Sequence, residues 1–388
     1  MRPDLAEADP ASLLRQLIRC PSVTPEPAGV LDLLAGRLVA LGFTVDLVAF
    51  EGDGSYRVEN LFATRGQSGP HLLFAGHTDV VPPGDAAAWT HPPFAAEEVD
   101  GRLYGRGAAD MKSGVAAFVA AAAAAIRAGE AETGRISLAI TNDEEADGIN
   151  GTEKLMAWAT ERGHRFDFAI VGEPSSTARV GDSLKIGRRG SLNGEITVTG
   201  MQGHVAYPEK ARNPLPVLAR IVTALSGPLD AGSAAFPPSN LEFTSLDVGN
   251  PVSNVIPGAA RARLNIRFND GWTPESLAAH LRTRLAEIAG SAATLAVLGR
   301  PSRSFLSPTG GALDLLAETI AAETGSRPAF STGGGTSDAR FIAPYCPVAE
   351  FGIVGPTMHQ VDESIALADL TALTALYRRF IARFLAAV

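Results

Sequence analysis

The chain has 388 residues, of which 46% are hydrophobic and 19% charged, so it can bury a sizeable core and is not a disordered protein. Its 33 basic residues against 42 acidic ones give a net charge of −9, which disfavours a nucleic-acid-binding function. The N-terminal residues contain no apolar signal segment, and the longest apolar run, Val115 to Ile126, is shorter than the roughly 20 residues of a membrane span. We therefore expect a cytoplasmic protein that binds neither nucleic acid nor a membrane.

The first third of the chain predicts alternating helices and strands. Residues 31–41 have helical spacing, and residues 112–129 predict an Ala-rich helix that ends at a glycine. Three apolar runs end in polar residues and predict buried strands: residues 71–81, 135–145 and 166–176. Alternation of strands and helices is typical of an α/β sheet, in which ligands bind beyond the carboxyl ends of the strands.

The pattern changes near Lys185, where a separate α+β unit begins. Alternating hydrophobic residues predict strands over residues 191–200, 240–249 and 260–268. Helical hydrophobic spacing predicts helices over residues 213–227 and 274–290. Beyond this unit the α/β pattern returns, and the chain ends in a helix over residues 367–387. The sequence thus predicts an α/β catalytic domain of residues 1–185 and 301–388 with an inserted α+β domain of residues 186–300.

Polar side chains of two chemical types recur at strand ends or loops of the predicted catalytic domain. They are His77 with Asp79, Asp110, Glu144 with Glu145, Glu173, and His359. Imidazole and carboxylate groups suit zinc and similar divalent ions, and two His with three acidic residues suffice for two ions if one carboxylate bridges them. Two such ions can activate a water molecule and polarise a carbonyl group. The spacing therefore favours a metal site but does not identify the reaction.

Two pairs of residues in this set have separate functional interpretations. Glu144 and Glu145 are neighbours after a strand and point in different directions, so one can bind metal while the other acts as a general base. Asp79 lies two residues after His77 and can hydrogen-bond the imidazole ring. Each feature also has a structural explanation, because paired Glu residues commonly form a solvated surface patch and Gly172 to Pro174 can be a simple turn.

In these segments the sequence resembles the M20 family of metal-dependent amidohydrolases and peptidases. The similarity extends from about residue 10 to the end of the chain and rests on five motifs in the family's order, which are AGHTDVVPPG (75–84), GRLYGRGAADMKSG (101–114), NDEEADGINGT (142–152), VGEPSS (171–176) and TMHQVDE (357–363). The resemblance implies a zinc-peptidase-like catalytic domain with an inserted lid domain that forms a homodimer. It also implies two zinc ions per subunit, with cobalt possible at one site.

The resemblance also implies roles for individual residues. Five of them would be metal ligands. Asp110 would bridge both ions, His77 and Glu173 would bind one ion, and Glu145 and His359 would bind the other. Glu144 would be the general base, and Asp79 would orient His77.

Two further segments resemble those family members that hydrolyse N-succinyl-L,L-2,6-diaminopimelate to succinate and L,L-2,6-diaminopimelate, a step in lysine and diaminopimelate biosynthesis. These segments are KIGRRGSLNGEITVTGMQGHVAYPEKARNP (185–214) and GGGTSDARF (333–341). The resemblance implies that His204 reaches the active site of the partner subunit and stabilises the oxyanion there. It also implies five contacts with the anionic substrate, made by Arg188, Tyr207, Asn254, Arg267 and Thr336. Arginine forks suit such a substrate because they bind carboxylates through two hydrogen bonds.

Some of these relatives differ from the chain at one position near the predicted metal site. They have Asn four residues before the last predicted ligand, His359, whereas this chain has Gly355. Any substrate contact that the Asn makes is therefore absent here or is made by another group.

Three alternative functions remain open at this point. Another M20 amidohydrolase, such as an acetylornithine deacetylase or an aminoacylase, would have the same metal site. A non-catalytic metal- or peptide-binding protein would have no need of Glu144 beside Glu145. A nucleotide enzyme would use Gly333 to Gly335, but this run lacks the Lys-Ser/Thr ending of a phosphate loop, and a turn that lets backbone approach a substrate fits it better.

Overall fold

The computed structural model describes residues 9–387, which divide into two units. Unit 1 contains the described residues up to 186, residues 307–331 and those from 337 onward, whereas unit 2 contains residues 187–306 and 332–336. The short segment 332–336, which the sequence analysis places in the catalytic domain, thus belongs to the second unit. The roles of the units as catalytic and lid domains stay a prediction.

The described residues form nine α-helices and twenty strands, numbered in chain order. The helices are α1 (Pro10–Ile18), α2 (Val30–Ala40), α3 (Ser113–Arg127), α4 (Thr152–Glu161), α5 (Leu215–Leu225), α6 (Pro274–Ala289), α7 (Gly311–Thr324), α8 (Ala339–Ile342) and α9 (Leu367–Ala386). The strands are β1 (Thr44–Gly52), β2 (Ser55–Arg65), β3 (His71–His77), β4 (Glu98–Val99), β5 (Arg102–Tyr104), β6 (Arg135–Thr141), β7 (Phe168–Val171), β8 (Ser183–Lys185), β9 (Gly187–Arg188), β10 (Gly190–Thr199), β11 (Gly203–His204), β12 (Gly227–Pro228), β13 (Asn240–Asp247), β14 (Val255–Ile256), β15 (Ala259–Phe268), β16 (Ala293–Ser302), β17 (Phe305–Leu306), β18 (Ala329–Ser331), β19 (Val348–Glu350) and β20 (Ser364–Ala366).

Unit 1 is built on an eight-stranded mixed sheet in the order β1-β2-β6-β3-β7-β19-β8-β18. The three strands predicted from apolar runs are confirmed as β3, β6 and β7, and each is shorter than its run because the polar residues at its end leave the sheet. These three strands and β19 are parallel neighbours. Their carboxyl ends therefore lie at the same edge of the sheet.

The Ala-rich helix α3 confirms the helix predicted over residues 112–129 and packs against α1 and α9. At its first turn, a Cβ on Gly114 would lie 2.2 Å from the backbone oxygen of Gly172, so no larger residue fits there without a shift of the backbone. This close approach places the start of α3 against the loop that carries Glu173.

One helical stretch of the described residues, Ala108–Arg127, is long and apolar enough to cross a membrane by length and composition. Its mean hydropathy is 1.4, and 89% of the apolar stretch is buried within the protein, as in the core helix of a soluble protein. Asp110 and Met111 have non-helical backbone angles, so the regular helix begins only at Ser113.

Unit 2 has its own five-stranded antiparallel sheet in the order β12-β13-β15-β10-β16. Its predicted strands and helices are confirmed as β10, β13, β15, α5 and α6. The alternating inward side chains of β10 and β15 pack with the two helices in one apolar cluster, which includes Leu192, Ile196, Leu264, Ile266, Ile221 and Leu281. Strand β16 escaped prediction because most of its residues are exposed or half-buried and give no clear alternation.

The carboxylate of Asp230 holds the loops at one end of the unit 2 sheet. Its Oδ1 accepts hydrogen bonds from the backbone N–H of Gly232 at 2.8 Å and Ser239 at 3.0 Å and from Nδ2 of Asn269 at 2.7 Å. Its Oδ2 accepts one from Nε1 of Trp272 at 2.7 Å. Burial acts to raise the pKa of Asp230, but these hydrogen bonds outweigh it and lower the pKa from its ordinary 3.8 to about 2.

Replacing Asp230 with Asn should destabilise unit 2, because the amide offers one acceptor oxygen and turns an N–H2 group toward a donor. We expect the free energy of unfolding to fall by about 1–3 kcal/mol at neutral pH. The contribution of the carboxylate is present above pH 3.8 and is lost as the pH falls toward 2, so the variant should differ less from wild type in acid. Hydrogen exchange of residues 229–240 at several pH values measures this, with the exposed Asp270→Asn as control. Equal protection in both variants would contradict the expectation.

Candidate active site

The carboxyl edge of the unit 1 sheet brings together the polar residues that follow its parallel strands. His77 is the last residue of β3, and Glu173 follows β7 after one glycine. Glu144 and Glu145 follow β6 after two intervening residues. Because β3, β6 and β7 are parallel neighbours, these side chains meet at one edge. Two further residues reach the same place from outside these strands: Asp110 from the turn before α3, and His359 from the loop between β19 and β20.

The carboxylate of Asp110 lies between the two imidazole rings. Its Oδ1 is 3.1 Å from Nε2 of His77, and its Oδ2 is 3.2 Å from Nε2 of His359. The other neighbours differ for the two rings, since Glu173 Oε1 lies 3.7 Å from Nε2 of His77 and Glu145 Oε1 lies 3.0 Å from Nε2 of His359. Asp110 is therefore shared by two groups of potential ligands.

These groups fit divalent metal ions in both chemistry and spacing. Ligand atoms of three residues lie within 4.8 Å of one another in each of three sets, which are His77–Asp110–Glu173, Asp110–Glu145–His359 and His77–Glu144–Glu145. A tetrahedral ion with bonds near 2 Å needs ligand atoms about 3.3 Å apart, and the imidazole–carboxylate distances above lie around that value. Nitrogen and oxygen donors without thiolate suit zinc and related ions.

The site holds more carboxylate groups than groups that can carry a positive charge. Burial raises the pKa of Glu173 well above its ordinary value, and repulsion from Asp110 and Glu144 acts in the same direction. Burial likewise raises the pKa of Glu144, together with the nearby carboxylates of Asp338 and Asp110. The pKa of His359 is raised to about 10 by its hydrogen bonds to Asp110 and Glu145. An excess of buried carboxylate is the environment that a cation stabilises.

Asp79 makes further contacts in the site besides its predicted contact with His77. Nδ1 of His77 lies 2.9 Å from the backbone oxygen of Asp79, and 3.5 Å from its carboxylate. That carboxylate accepts hydrogen bonds from the backbone N–H of Glu144 at 3.3 Å and of Glu145 at 3.1 Å. It also accepts one from Oγ1 of Thr24 at 2.6 Å. Asp79 therefore holds the backbone of both glutamates in addition to its contact with His77.

Two other residues that shape the site were missed by sequence reasoning. Thr24 comes from the loop after α1, and no pattern near it indicates a contact with Asp79. Asp143 closes the loop that carries Glu144, since its Oδ2 accepts the backbone N–H of Ile149 and of Asn150 at 3.1 and 3.2 Å. The position of Asp143 immediately before the paired glutamates is the one signal that could have indicated this.

In unit 2, three of the predicted substrate-site residues lie on or beside the small two-stranded sheet of β11 and β14. Strand β11 pairs His204 with Val255 of β14, and the backbone N–H of Val205 donates to the oxygen of Asn254 at 3.1 Å. The rings of His204 and Tyr207 are 5.8 Å apart. The backbone N–H of Ala206 donates to Nδ1 of His204 at 3.0 Å, so a neutral ring carries its proton on Nε2. All three predicted side chains are exposed.

The Gly-rich turn of unit 2 holds a buried arginine. Nη1 of Arg188 donates to the backbone oxygens of Gly335 at 3.0 Å and of Gly333 at 3.4 Å. The turn thus brings Arg188 beside the segment that contains Thr336. The fifth predicted substrate contact, Arg267, is half-buried on β15.

Gly355, where some relatives have Asn, is closely packed in unit 1. A Cβ at this position would lie 2.9 Å from Cβ of Pro174, the residue after Glu173. An Asn at position 355 would therefore require Pro174 to shift. Glycine at position 355 therefore suits the local packing of the loop that carries Glu173.

A comparison with known protein families identifies this architecture. Residues 73–383 match the family described as Peptidase family M20/M25/M40, which is most of the chain. The chain belongs to this family. M20 enzymes include proteins of different named activities, so the membership defines the fold and the class of site before it defines a substrate.

Curated relatives resemble the chain over almost its whole length. A succinyl-diaminopimelate desuccinylase of Methylorubrum populi is 54% identical over 98% of this chain and 99% of its own. One of Methylobacterium nodulans is 56% identical over 95% of this chain and 94% of its own.

Solved structures of M20 proteins share the fold. An M20 family metallo-carboxypeptidase of Sulfolobus solfataricus has a TM-score of 0.78 at 17% identity and covers 97% of this chain and 99% of its own. A Bacillus subtilis M20 protein, described as a dinuclear metal-binding peptidase, has a TM-score of 0.70 at 15% identity and covers 98% of both chains.

Proposed function

We propose that this chain is a dimetal amidohydrolase that cleaves N-succinyl-L,L-2,6-diaminopimelate to succinate and L,L-2,6-diaminopimelate in lysine and diaminopimelate biosynthesis. The substrate is supported by relatives more than half identical over nearly the full chain, all named succinyl-diaminopimelate desuccinylases. The observation that carries the chemistry is the carboxylate of Asp110, whose two oxygens face His77 and His359 separately.

The proposed ligands fall into two sets that share Asp110. His77 and Glu173 complete one set, and Glu145 and His359 complete the other. We propose zinc in both, with cobalt tolerated in one, because the donors are imidazole and carboxylate. When bound, two such ions lower the pKa of a water molecule and polarise the amide carbonyl.

The residues around the ligands perform the proton transfers. Glu144 takes a proton from the attacking water and passes it to the departing amine. The carboxylate of Asp79 holds the backbone N–H groups of Glu144 and Glu145, so the base and its neighbouring ligand keep a fixed relation.

Unit 2 supplies substrate recognition in this proposal. His204 carries its proton on Nε2 when neutral, and this N–H stabilises the oxyanion in the active site of the partner subunit of a homodimer. Arg188 and Arg267 bind carboxylates of the substrate, and Tyr207, Asn254 and Thr336 complete the contacts. The enzyme works in the cytoplasm on a small anionic molecule, without nucleic acid or membrane.

The proposed substrate is tested by direct comparison of two amides. We expect zinc-loaded enzyme to hydrolyse N-succinyl-L,L-2,6-diaminopimelate with a far higher kcat/KM than N-acetylornithine, because the former offers additional carboxylates to the arginines. Release of primary amine is followed for both substrates under identical conditions. A preference for N-acetylornithine would leave the metal site in place but refute the proposed substrate.

The proposed base is tested by replacing Glu144 with Gln. We expect the variant to keep its metal content, measured by mass spectrometry, while kcat falls by about 10²- to 10⁴-fold because proton transfer is lost. Asp147→Asn is a matched control, since Asp147 lies in the same loop and accepts a hydrogen bond from Ser55. Near-normal turnover of the Gln variant would remove Glu144 from its role.

The proposed contribution of His204 to the partner subunit is tested with mixed dimers. Replacing His204 with Ala should lower kcat by about 10²- to 10³-fold with little change in substrate affinity. Dimers that combine a Glu144→Gln subunit with a His204→Ala subunit contain one complete site, so activity should return on mixing. Absence of such complementation would show that His204 does not act across the dimer.

A further inference from the structure

A buried carboxylate outside the three ligand sets holds the segment that carries Asp110. Glu363 has no exposed surface, and each of its oxygens accepts two hydrogen bonds. Oε1 accepts from the backbone N–H of Ala109 at 2.7 Å and of Asp110 at 3.1 Å. Oε2 accepts from the backbone N–H of Gly107 at 3.0 Å and from Nη1 of Arg106 at 2.7 Å. The side chain of Glu363 therefore holds the backbone from Gly107 to Asp110.

The same contacts tie this turn to the segment that carries His359. Glu363 lies four residues after His359, and its backbone oxygen accepts the N–H of Gly105 at 2.8 Å. Nη2 of Arg106 donates to the backbone oxygen of His359 at 3.4 Å, and its guanidinium lies 5.1 Å from the ring centre of Trp89. Arg106 and Glu363 thus join the two segments as a buried ion pair with further hydrogen bonds.

The position of His359 depends on these hydrogen bonds between segments more than the position of His77 does. His77 ends a fully buried strand of the central sheet, which fixes its backbone. His359 lies in the loop between β19 and β20, has a φ of +62°, and leaves 44% of its side chain exposed. The backbone of His359 therefore has few restraints besides those from Arg106 and from the residues that follow it.

We infer that Glu363 is a positioning residue that sets the distance between Asp110 and His359. Its loss should loosen the Asp110–Glu145–His359 set more than the His77–Asp110–Glu173 set, since His77 and Glu173 are placed by the ends of β3 and β7. This inference rests on the ligand sets of the proposed function. Glu363 itself contacts backbone and Arg106 rather than any ligand atom.

Glu363→Gln tests this role because it removes hydrogen-bond acceptors while keeping the size of the side chain. All four groups that contact the carboxylate are donors, whereas an amide has one acceptor oxygen and one N–H2 group. In either orientation the N–H2 group would face two donors, so half of the contacts are lost while size and shape stay nearly the same.

The test is a titration of metal-free enzyme with Zn²⁺ by calorimetry and with Co²⁺ by visible absorption. Wild type should bind two ions per subunit. In Glu363→Gln one binding event should weaken by about 10- to 100-fold, as is typical when the support of a ligand is removed, and the other should change less than about threefold. The weakened event should be the one that His359→Ala abolishes, and excess Zn²⁺ should restore part of the kcat of the Gln variant.

A control and a second variant keep this test decisive. Asp230→Asn also removes a carboxylate that accepts backbone N–H groups, but in unit 2, so it should lower stability without changing either binding event. If Glu363→Gln fails to fold, Arg106→Lys keeps the three backbone contacts of Glu363 and loses the bond to His359, and it should weaken the same event to a smaller extent.

The possible failures of the inference and of the proposed function are distinguishable. Wild-type binding of both ions by a Glu363→Gln variant, or equal weakening of both, would overturn the positioning role. If the Gln variant does not fold, wild-type affinities in Arg106→Lys would overturn it as well. Fewer than two ions bound by the wild-type enzyme would instead refute the ligand sets on which the proposed function depends.

Discussion

The structure of unit 1 depends on burying several carboxylates beside two imidazole rings at one edge of a sheet. Like charges repel strongly where water is excluded, so each carboxylate must be compensated or shift its pKa. Asp79 is compensated within the protein, because burial acts to raise its pKa but hydrogen bonds from His77 and Thr24 outweigh this and lower it. Glu144 and Glu173 lack such donors in sufficient number and keep raised pKa values. The site therefore combines carboxylates that are held by the protein with others that suit a cation.

The surrounding fold supplies the restraints that this arrangement needs. Parallel strands deliver His77 and Glu173 to one edge, and the close approach of Gly114 to Gly172 keeps the loop of Glu173 against α3. Below the turn of Asp110, Nζ of the fully buried Lys112 donates to the backbone oxygens of Leu17 and Cys20, both at 2.9 Å. Burial lowers the pKa of Lys112 to about 7. This lysine joins the end of α1 to the start of α3 directly beside a ligand turn.

Periodicity predicts the parts of this fold whose side chains alternate between core and solvent. Strand β10 and helix α6 could be located because their buried positions recur at fixed intervals. Strands β3 and β6 and helix α3 have no such alternation and could be located because each is a continuous apolar run. The cluster at the strand ends could be predicted for a related reason, since parallel strands bring their carboxyl ends together. Contacts that depend on distant chain segments could not be predicted. Asp79 meets Thr24 and Glu363 meets Gly107 through backbone and hydroxyl groups, and no spacing in the sequence indicates such pairs.

The same distinction explains the Gly-rich segment 332–336. It has no hydrophobic period, so its association with unit 2 follows only from contacts such as those between Arg188 and Gly335 and between Thr332 and the backbone oxygen of Ala235. The groups proposed for proton transfer and metal binding all belong to unit 1, whereas those proposed for substrate recognition belong to unit 2. If these proposed roles hold, substitutions in unit 2 would change the substrate without altering the hydrogen bonds of Asp79 to Glu144 and Glu145 or of Glu363 to Asp110. A family built in this way can keep one hydrolytic centre and vary the amide that it cleaves.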